Sequence, residues 1–187
     1  MSSILKVDTI QTTAGAAPTT KDLGFSPDSV IQAKLWYVTP IEVTTSGTWA
    51  ADTVPTLANT YSVGDYSFTK KHSDSKVIAT VSGHVDHEST TGHPSIVALL
   101  EANGTMMGAA YRHVRVQGNE PLSYCFSGED TTSGTSKTYK LRCHSSGTRM
   151  RFGRSQTNNT SHVFTVVFME IAPVSYTHLR AHETKRN

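Results

Sequence analysis

From residue 30 onward, hydrophobic and polar residues alternate with a period of two in several short segments. Alternation of this kind is typical of β-strands that bury one face and expose the other. The clearest examples are SVIQAKLWYV (29–38), DYSFTKK (65–71), KVIATVSGHVDHE (76–88), KTYKLRCHS (137–145) and RMRFGR (149–154). Short strands at regular spacing, with no convincing long helix between them, predict an all-β chain folded as an antiparallel β-sandwich.

Residues 96–111, IVALLEANGTMMGAAY, predict a hairpin of two further strands. Its central Asn-Gly pair suits the positive φ angles of a type I′ turn. Turn-forming residues also separate the other strands, among them Asn103-Gly104, Gly118-Asn119 and Ser145-Ser146-Gly147. The weaker interpretation of residues 27–33 is a brief helix capped by Ser26.

The segment HVFTVVFMEIA (162–172) departs from this pattern because it is apolar on both faces. One side carries Phe164, Val166 and Phe168, and the other carries Val163, Thr165, Val167, Met169 and Ile171. A strand that is apolar on both faces must be covered on both. The partner sheet covers one face, and either a long loop or a neighbouring subunit covers the other. We favour the subunit and predict that Phe164, Val166 and Phe168 form a trimer interface.

The chain opens with a short apolar-patterned segment, SSILKVDTIQ (2–11), followed by the linker TTAGAAPTT (12–20), which has no core-forming residues. Ten such residues cannot bury enough surface to offset the entropy lost when they become ordered. Sister copies, a scaffold or both must therefore order them. The predicted attachment residues are Ile4, Leu5, Val7 and Ile10.

At the other end of the chain, residues 174–184 read VSYTHLRAHET and resemble the translation of a sequencing-library adapter. We interpret residues 174–187 as a non-native tail and exclude them from fold reasoning. This excludes His178 and His182, whose i, i+4 spacing would otherwise suggest a metal site. The predicted division is an attachment segment and linker at 1–24, a head domain at 25–173 and the tail.

Trimming this tail makes the chain electrically neutral. The tail holds three basic residues and one acidic residue, so 17 less 3 leaves 14 basic residues and 15 less 1 leaves 14 acidic ones. A net charge near zero argues against binding to nucleic acid or to an anionic membrane. The sequence has no apolar run long enough for membrane insertion. Cys125 and Cys143 are expected to be buried thiols, with a disulfide as the alternative.

The segment GHVDHE contains His84, Asp86 and His87, the candidate metal ligands of the chain. On a strand, His84 and Asp86 share a face while His87 points the other way, so the three cannot converge on one ion without a bulge. The expected interpretation is therefore a polar strand end, with no metal and no other cofactor. A threefold axis that gathers three copies of one histidine is the alternative.

The second half of the chain is locally basic, and Arg112, Arg115, Arg149 and Arg151 are candidate glycan contacts. Arginine forks suit the carboxylate and phosphate groups of acidic host glycans. The solvated face of a sheet explains the same residues. No nucleophile elbow, P-loop or dinucleotide fingerprint is present, and the pair Glu129-Asp130 resembles turn chemistry. We therefore expect the chain not to be an enzyme.

The opening S-x-I-L-K-V-D-x-I-Q string resembles the start of tail-fibre and virion-appendage proteins of marine bacteriophages. The order SVIQ, SFT, SKVIATVSGHV and the closing FMEI, over residues 29–172, resembles the jelly-roll heads of such fibres. Those heads are similar to the trimer heads of complement and tumour-necrosis-factor proteins. The resemblance implies a homotrimeric jelly roll, preceded by a short extended segment that attaches to a virion scaffold or another fibre protein.

The same resemblance implies a location on the phage tail or capsid surface after assembly in the cytoplasm of the bacterial host. The head would contact a host-surface glycan or protein. One alternative is a capsid-decorating or head-fibre protein that binds no receptor. The other is a polysaccharide-degrading spike, which would need paired acidic residues in a groove and a longer, repeat-built β-helix.

Overall fold

The computed structural model describes residues 29–45, 53–89, 93–114, 118–146, 149–154 and 162–172. These residues contain ten β-strands and a three-residue 3-10 helix, Leu57–Asn59. The strands are β1 (Val30–Tyr37), β2 (Ile41–Thr44), β3 (Tyr61–Thr69), β4 (Lys76–Ser89), β5 (His93–Glu101), β6 (Met106–Val114), β7 (Gly118–Asp130), β8 (Ser136–Ser145), β9 (Arg149–Phe152) and β10 (Phe164–Ile171).

The strands form two antiparallel sheets that pack face to face. The first sheet has the order β1-β10-β4-β7, and the second has the order β3-β8-β5-β6. The chain crosses repeatedly from one sheet to the other, at β2 to β3, β3 to β4, β4 to β5, β6 to β7, β7 to β8 and β8 to β9. This strand order is that of a jelly roll, as the sequence predicted.

Strand β4 is long enough to take two different neighbours along the same edge. Its first half, from Lys76 to Gly83, pairs with β10. Its second half, from Val85 to Glu88, pairs with β9, which in turn pairs with β2. The short strands β9 and β2 therefore extend the first sheet beyond the start of β10.

The core lies between the sheets and follows the predicted alternation. Phe168 is its centre, since its ring stacks on Tyr139 at 4.7 Å and meets Trp36 edge-on at 5.2 Å between ring centroids. Phe68 also stacks on the Phe168 ring, with 5.8 Å between the ring centroids. Large aromatic rings in these arrangements contribute both buried area and directional contacts. The buried core also contains the predicted inner residues Val77, Ala79, Val81, Val85, Leu141, Cys143, Met150 and Phe152.

The predicted trimer interface needs a correction, because its residues belong to this core. Phe164, Val166 and Phe168 are all 1% exposed or less within a single chain. Their side chains point between the two sheets, so they have no surface left for a second copy. The opposite face of β10, with Thr165 and Val167, is the side that is only half-buried.

Several element predictions were also incomplete or wrong. Strands β2 and β7 were not predicted, and Gly118-Asn119 begins β7 instead of forming a turn. Residues 30–33 are part of β1, which excludes the helical alternative for them. In the β5–β6 hairpin, the Gly104 N–H donates to the Glu101 carbonyl at 2.9 Å, so Gly104 ends the turn instead of occupying its centre.

The sandwich has two opposite ends. At the end that we call the base, the chain enters at Ser29 and leaves at Ala172, whose N–H donates to the Ser29 carbonyl at 2.9 Å. The turn at 70–75 and the loop at 131–135 lie there too, joined by a bond from the Lys70 N–H to the Thr135 carbonyl. The opposite end, where β4 and β8 finish and β5 and β7 begin, is the distal end.

Candidate functional site

Three arginines and two glutamates form an ion-pair cluster on β2, β4 and β9 at the distal end. Arg151 is its centre: its Nε donates to Glu42 at 2.7 Å and its Nη2 donates to Glu88 at 2.5 Å. Arg149 lies 3.5 Å from Glu42 and 3.6 Å from Glu88, and Arg154 donates to Glu42 at 3.1 Å. Strand pairing produces this cluster, since Glu42 and Arg151 are register partners.

The arginines of this cluster differ in how much of each side chain is exposed to solvent. Arg151 is only 4% exposed, and its hydrogen bond is the main cause that lowers the pKa of the Glu42 carboxyl. The Arg151 guanidinium is therefore occupied by its hydrogen bonds to Glu42 and Glu88 of the same chain. Arg149 and Arg154 keep much of their side chains in solvent and have N–H groups that can meet an external anion. Arg154 was not among the predicted contacts.

Arg112 lies at the distal end on a different sheet. Its Nε donates to the Ser123 carbonyl at 3.1 Å and its Nη1 to the Tyr111 carbonyl at 2.9 Å. The guanidinium is 6.0 Å from the centre of the Tyr124 ring. Arg112 therefore spans β6 and β7 across the edge of the sandwich. Arg115 lies outside the described residues, as do the attachment residues Ile4, Leu5, Val7 and Ile10.

A buried polar chain beneath these arginines links the two sheets. The Tyr124 hydroxyl lies 2.6 Å from the Ser95 hydroxyl and 3.0 Å from Nε2 of His87. All three residues are 1% exposed or less. Hydrogen-bonded polar groups avoid the cost of burial and hold their strands in one arrangement. The sequence did not indicate Ser95 or Tyr124, because they come from strands far apart in the chain.

The three candidate metal ligands point in different directions. His87 faces the interior, whereas His84 is exposed, with its Nδ1 3.1 Å from the Ser123 hydroxyl. Asp86 is buried on the outer side of the same strand, where it is the register partner of Arg151. Among the residues that the structure describes, no group of three His, Cys, Asp or Glu side chains could hold a metal ion.

The two cysteines are free thiols in different environments. Cys143 is fully buried in the core, where burial raises the pKa of its thiol. Cys125 is exposed on β7, so the expectation that both thiols are buried was wrong for this one. In the described part of the chain, no helix is long and apolar enough to cross a membrane.

Comparison with known proteins gives weak likenesses. No protein-family model matches the chain, and no curated protein sequence matches it. Among solved structures, the chain is similar to a chain of the T13 particle of infectious bursal disease virus (IBDV), with a TM-score of 0.35. The sequence identity is 11%, and the match covers 91% of this chain and 41% of that chain.

A second likeness is to the structure of the Gx strain of infectious bursal disease virus. It has a TM-score of 0.34 and 11% identity, and it covers 90% of this chain and 42% of that chain. The chain thus spans about two fifths of the length of the solved chains it matches. The jelly roll is established by the strand order of the two sheets.

Proposed function

We propose that the chain is a structural component of a bacteriophage virion, a tail fibre or appendage whose trimeric jelly-roll head contacts the host surface. The observation that supports this proposal is that the chain enters and leaves the sandwich at the same end, the base. Ser29 and Ala172 are hydrogen-bonded neighbours at the base. An attachment through the segment before Ser29 would hold the base at the particle and leave the distal end free.

The proposed contact surface is the distal end, and its proposed ligand is an acidic glycan or an acidic protein surface of the host. Arg149 and Arg154 present guanidinium groups there, held in place by Glu42. Guanidinium forks bind carboxylate and phosphate groups in a fixed geometry. Each contact would be weak alone, and three copies on one fibre would multiply it by avidity.

Binding of the full chain to an array of acidic and neutral bacterial glycans tests this proposal. The double variant Arg149→Ala/Arg154→Ala should lose acidic-glycan binding by about tenfold or more, since charge-assisted hydrogen bonds are removed. Arg151 still pairs with both glutamates in that variant, so the fold is kept. Lys71→Ala, an exposed cation at the base, is the control and should bind like the wild type.

The alternative function is a capsid-decorating or head-fibre protein of the same fold that binds no receptor. Detection of the chain in purified particles, together with no binding to host cells or to any glycan, would favour this alternative. The proposal contains no catalytic step and no cofactor. Release of glycan fragments by the full chain would instead support the polysaccharide-degrading spike.

A further inference from the structure

Away from the ion-pair cluster at its distal end and Lys76 at its base, the outer face of the first sheet is almost free of charge. Register places its outward residues in three rows across β1, β10, β4 and β7: Tyr37-Thr165-Ser82-Cys125, Leu35-Val167-Thr80-Ser127 and Ala33-Met169-Ile78-Glu129. Of these twelve positions only Glu129, at a basal corner, carries a charge. We call these three rows the row face.

The other sheet presents a different surface to its outer side. Arg142 pairs there with Asp65, with 2.8 Å between Nη1 and Oδ1, and Lys140 lies two residues away on the same strand. Charged pairs of this kind are typical of a sheet face that stays in contact with water. The row face therefore differs in chemistry from this charged part of the second sheet.

Large apolar side chains on and beside the row face are left in solvent. Tyr37 is 68% exposed, Leu35 is 49% exposed, and Val163, which precedes β10, is 61% exposed. Tyr37 and Val163 also line a hollow of about 230 Å³ together with Pro40 and His162. Contiguous exposed apolar surface on a folded chain marks an interaction site.

Four hydroxyl groups in the middle of the row face already have partners within it. The Thr80 and Ser127 hydroxyls are 3.0 Å apart, and the Ser82 and Thr165 hydroxyls are 3.2 Å apart. A hydroxyl that keeps its hydrogen bond loses little when water is removed. The face can therefore be covered without leaving these groups unsatisfied.

We propose that copies of this chain associate through the row face, with Val167 near the centre of the contact and Tyr37 at its edge. The inference rests on the proposed trimer and identifies its contact surface. Four strands about 4.8 Å apart and three rows about 6.6 Å apart give a flat area of about 400 Å². That is about half of the roughly 800 Å² per partner that stable interfaces bury, and the protruding side chains add to it.

A second copy fits this face better than a charged partner does. Because the row face carries a single charge at one corner, two copies meet with no like charges opposed across the centre of the contact. A glycan or an acidic protein would find no cation there. In a ring of three copies each contact is heterologous, and row faces turned toward the threefold axis bring this nearly uncharged surface of every copy into the contact.

The mass of the full 187-residue chain in solution, measured by light scattering across a dilution series, tests the inference. The wild type should have the mass of three chains at micromolar concentration. Val167→Glu and Tyr37→Glu each place a charge in the contact and should yield single chains with an unchanged circular dichroism spectrum. Ser67→Glu places the same charge on the exposed outer side of β3 and should keep the wild-type mass.

A wild-type chain that runs as a single copy at all concentrations would overturn the inference, whatever the glycan array shows. Folded Tyr37→Glu and Val167→Glu variants that keep the wild-type mass would overturn the assigned face, while the trimer and the distal contact would stand. Tyr37 lies on an edge strand with most of its side chain in water, so Tyr37→Glu remains informative even if Val167→Glu fails to fold.

Discussion

At the scale of single residues, Glu170 on β10 is a fully buried carboxylate with several hydrogen-bond partners. It accepts hydrogen bonds from the backbone N–H groups of Lys71 and His72, from the Ser75 hydroxyl and from Nε2 of Gln32. Donors from β1 and from the turn at 70–75 thus meet one side chain of β10 at the base. Glu170 therefore ties β1, β10 and the β3–β4 turn together.

Removing the charge of Glu170 should destabilise the fold. Glu170→Gln keeps the shape but places an NH₂ group among donors, which should lower the free energy of unfolding by about 2–4 kcal/mol. Urea unfolding at neutral pH measures this, and Glu129→Gln, an exposed carboxylate on β7, should change the stability by less than about 0.5 kcal/mol. Equal losses in the two variants would contradict the role assigned to Glu170.

The ionised Glu170 carboxylate should also make the stability of the fold depend on pH. Burial raises the pKa of Glu170, but the hydrogen bonds from Lys71, Ser75, His72 and Gln32 outweigh it and hold the pKa below the ordinary value of 4.5. The stabilising contribution is therefore complete above about pH 4.5 and is lost as the pH falls through the lower, folded-state value. Unfolding midpoints between pH 7 and about 3 should fall less steeply in Glu170→Gln than in the wild type.

At this scale, the sequence predicted which way a side chain points from its strand, but it did not predict which side chains from distant strands contact each other. The alternation in 76–88 correctly separated inner Val81 from outer His84, because a strand fixes side-chain direction by parity alone. It could not find the contact between Tyr124 and His87, which depends on how β7 and β4 align. The commitment of Arg151 to Glu42 was missed for the same reason, since β2 and β9 are over a hundred residues apart.

At the scale of elements, a strand was predicted wherever alternation was strong and not masked by turn-forming residues. Strand β7 alternates through Leu122, Tyr124 and Phe126, yet its Gly118-Asn119 start and its Glu129-Asp130 end resemble turns. Its pairing along the whole of β4 overrides those local preferences. Strand β2 has only four residues, too few for a period to be recognised.

At the edge of the sandwich where β6 and β7 meet, two positions have room only for glycine. A methyl group on Gly128 would collide with the Met107 carbonyl, and one on Gly108 would lie 2.7 Å from the Ser127 carbonyl oxygen. Glycine within a strand marks a close approach of two backbones. These two residues therefore let the two sheets close against each other at this edge.

Gly128→Ala should force the two strands apart and lower the free energy of unfolding by about 1–3 kcal/mol, the usual cost of overpacking. Equilibrium urea unfolding measures the change. Ser67→Ala, at an exposed strand position, is the control and should stay within about 0.5 kcal/mol of the wild type. A Gly128→Ala chain as stable as the control would show that the edge can relax without cost.

At the scale of the whole molecule, the sequence predicted the sandwich, but it assigned Phe164, Val166 and Phe168 to a contact with a second copy, whereas they lie in the core. Two apolar faces are equivalent in a period-two pattern, so nothing local distinguishes Phe168 from Val167. The packing of the two sheets decides which face is inner, since it places the larger aromatic rings between them. Exposure of Leu35 and Tyr37 on the adjacent strand then identifies the outer face.

If the row face joins copies of the chain, the stability of the fold must depend on protein concentration. Assembly involves native chains only, so a tenfold increase in concentration stabilises each chain of a trimer by about 0.9 kcal/mol, two thirds of RT ln 10. For a chain of this size that corresponds to a rise in the thermal midpoint of roughly 2–3 °C. Calorimetry from about 1 to 100 µM should show this rise for the wild type and for Ser67→Glu, and a constant midpoint for Tyr37→Glu. A constant wild-type midpoint with cooperative, reversible unfolding would mean that each chain is stable alone, with the apolar rows of its first sheet in contact with water.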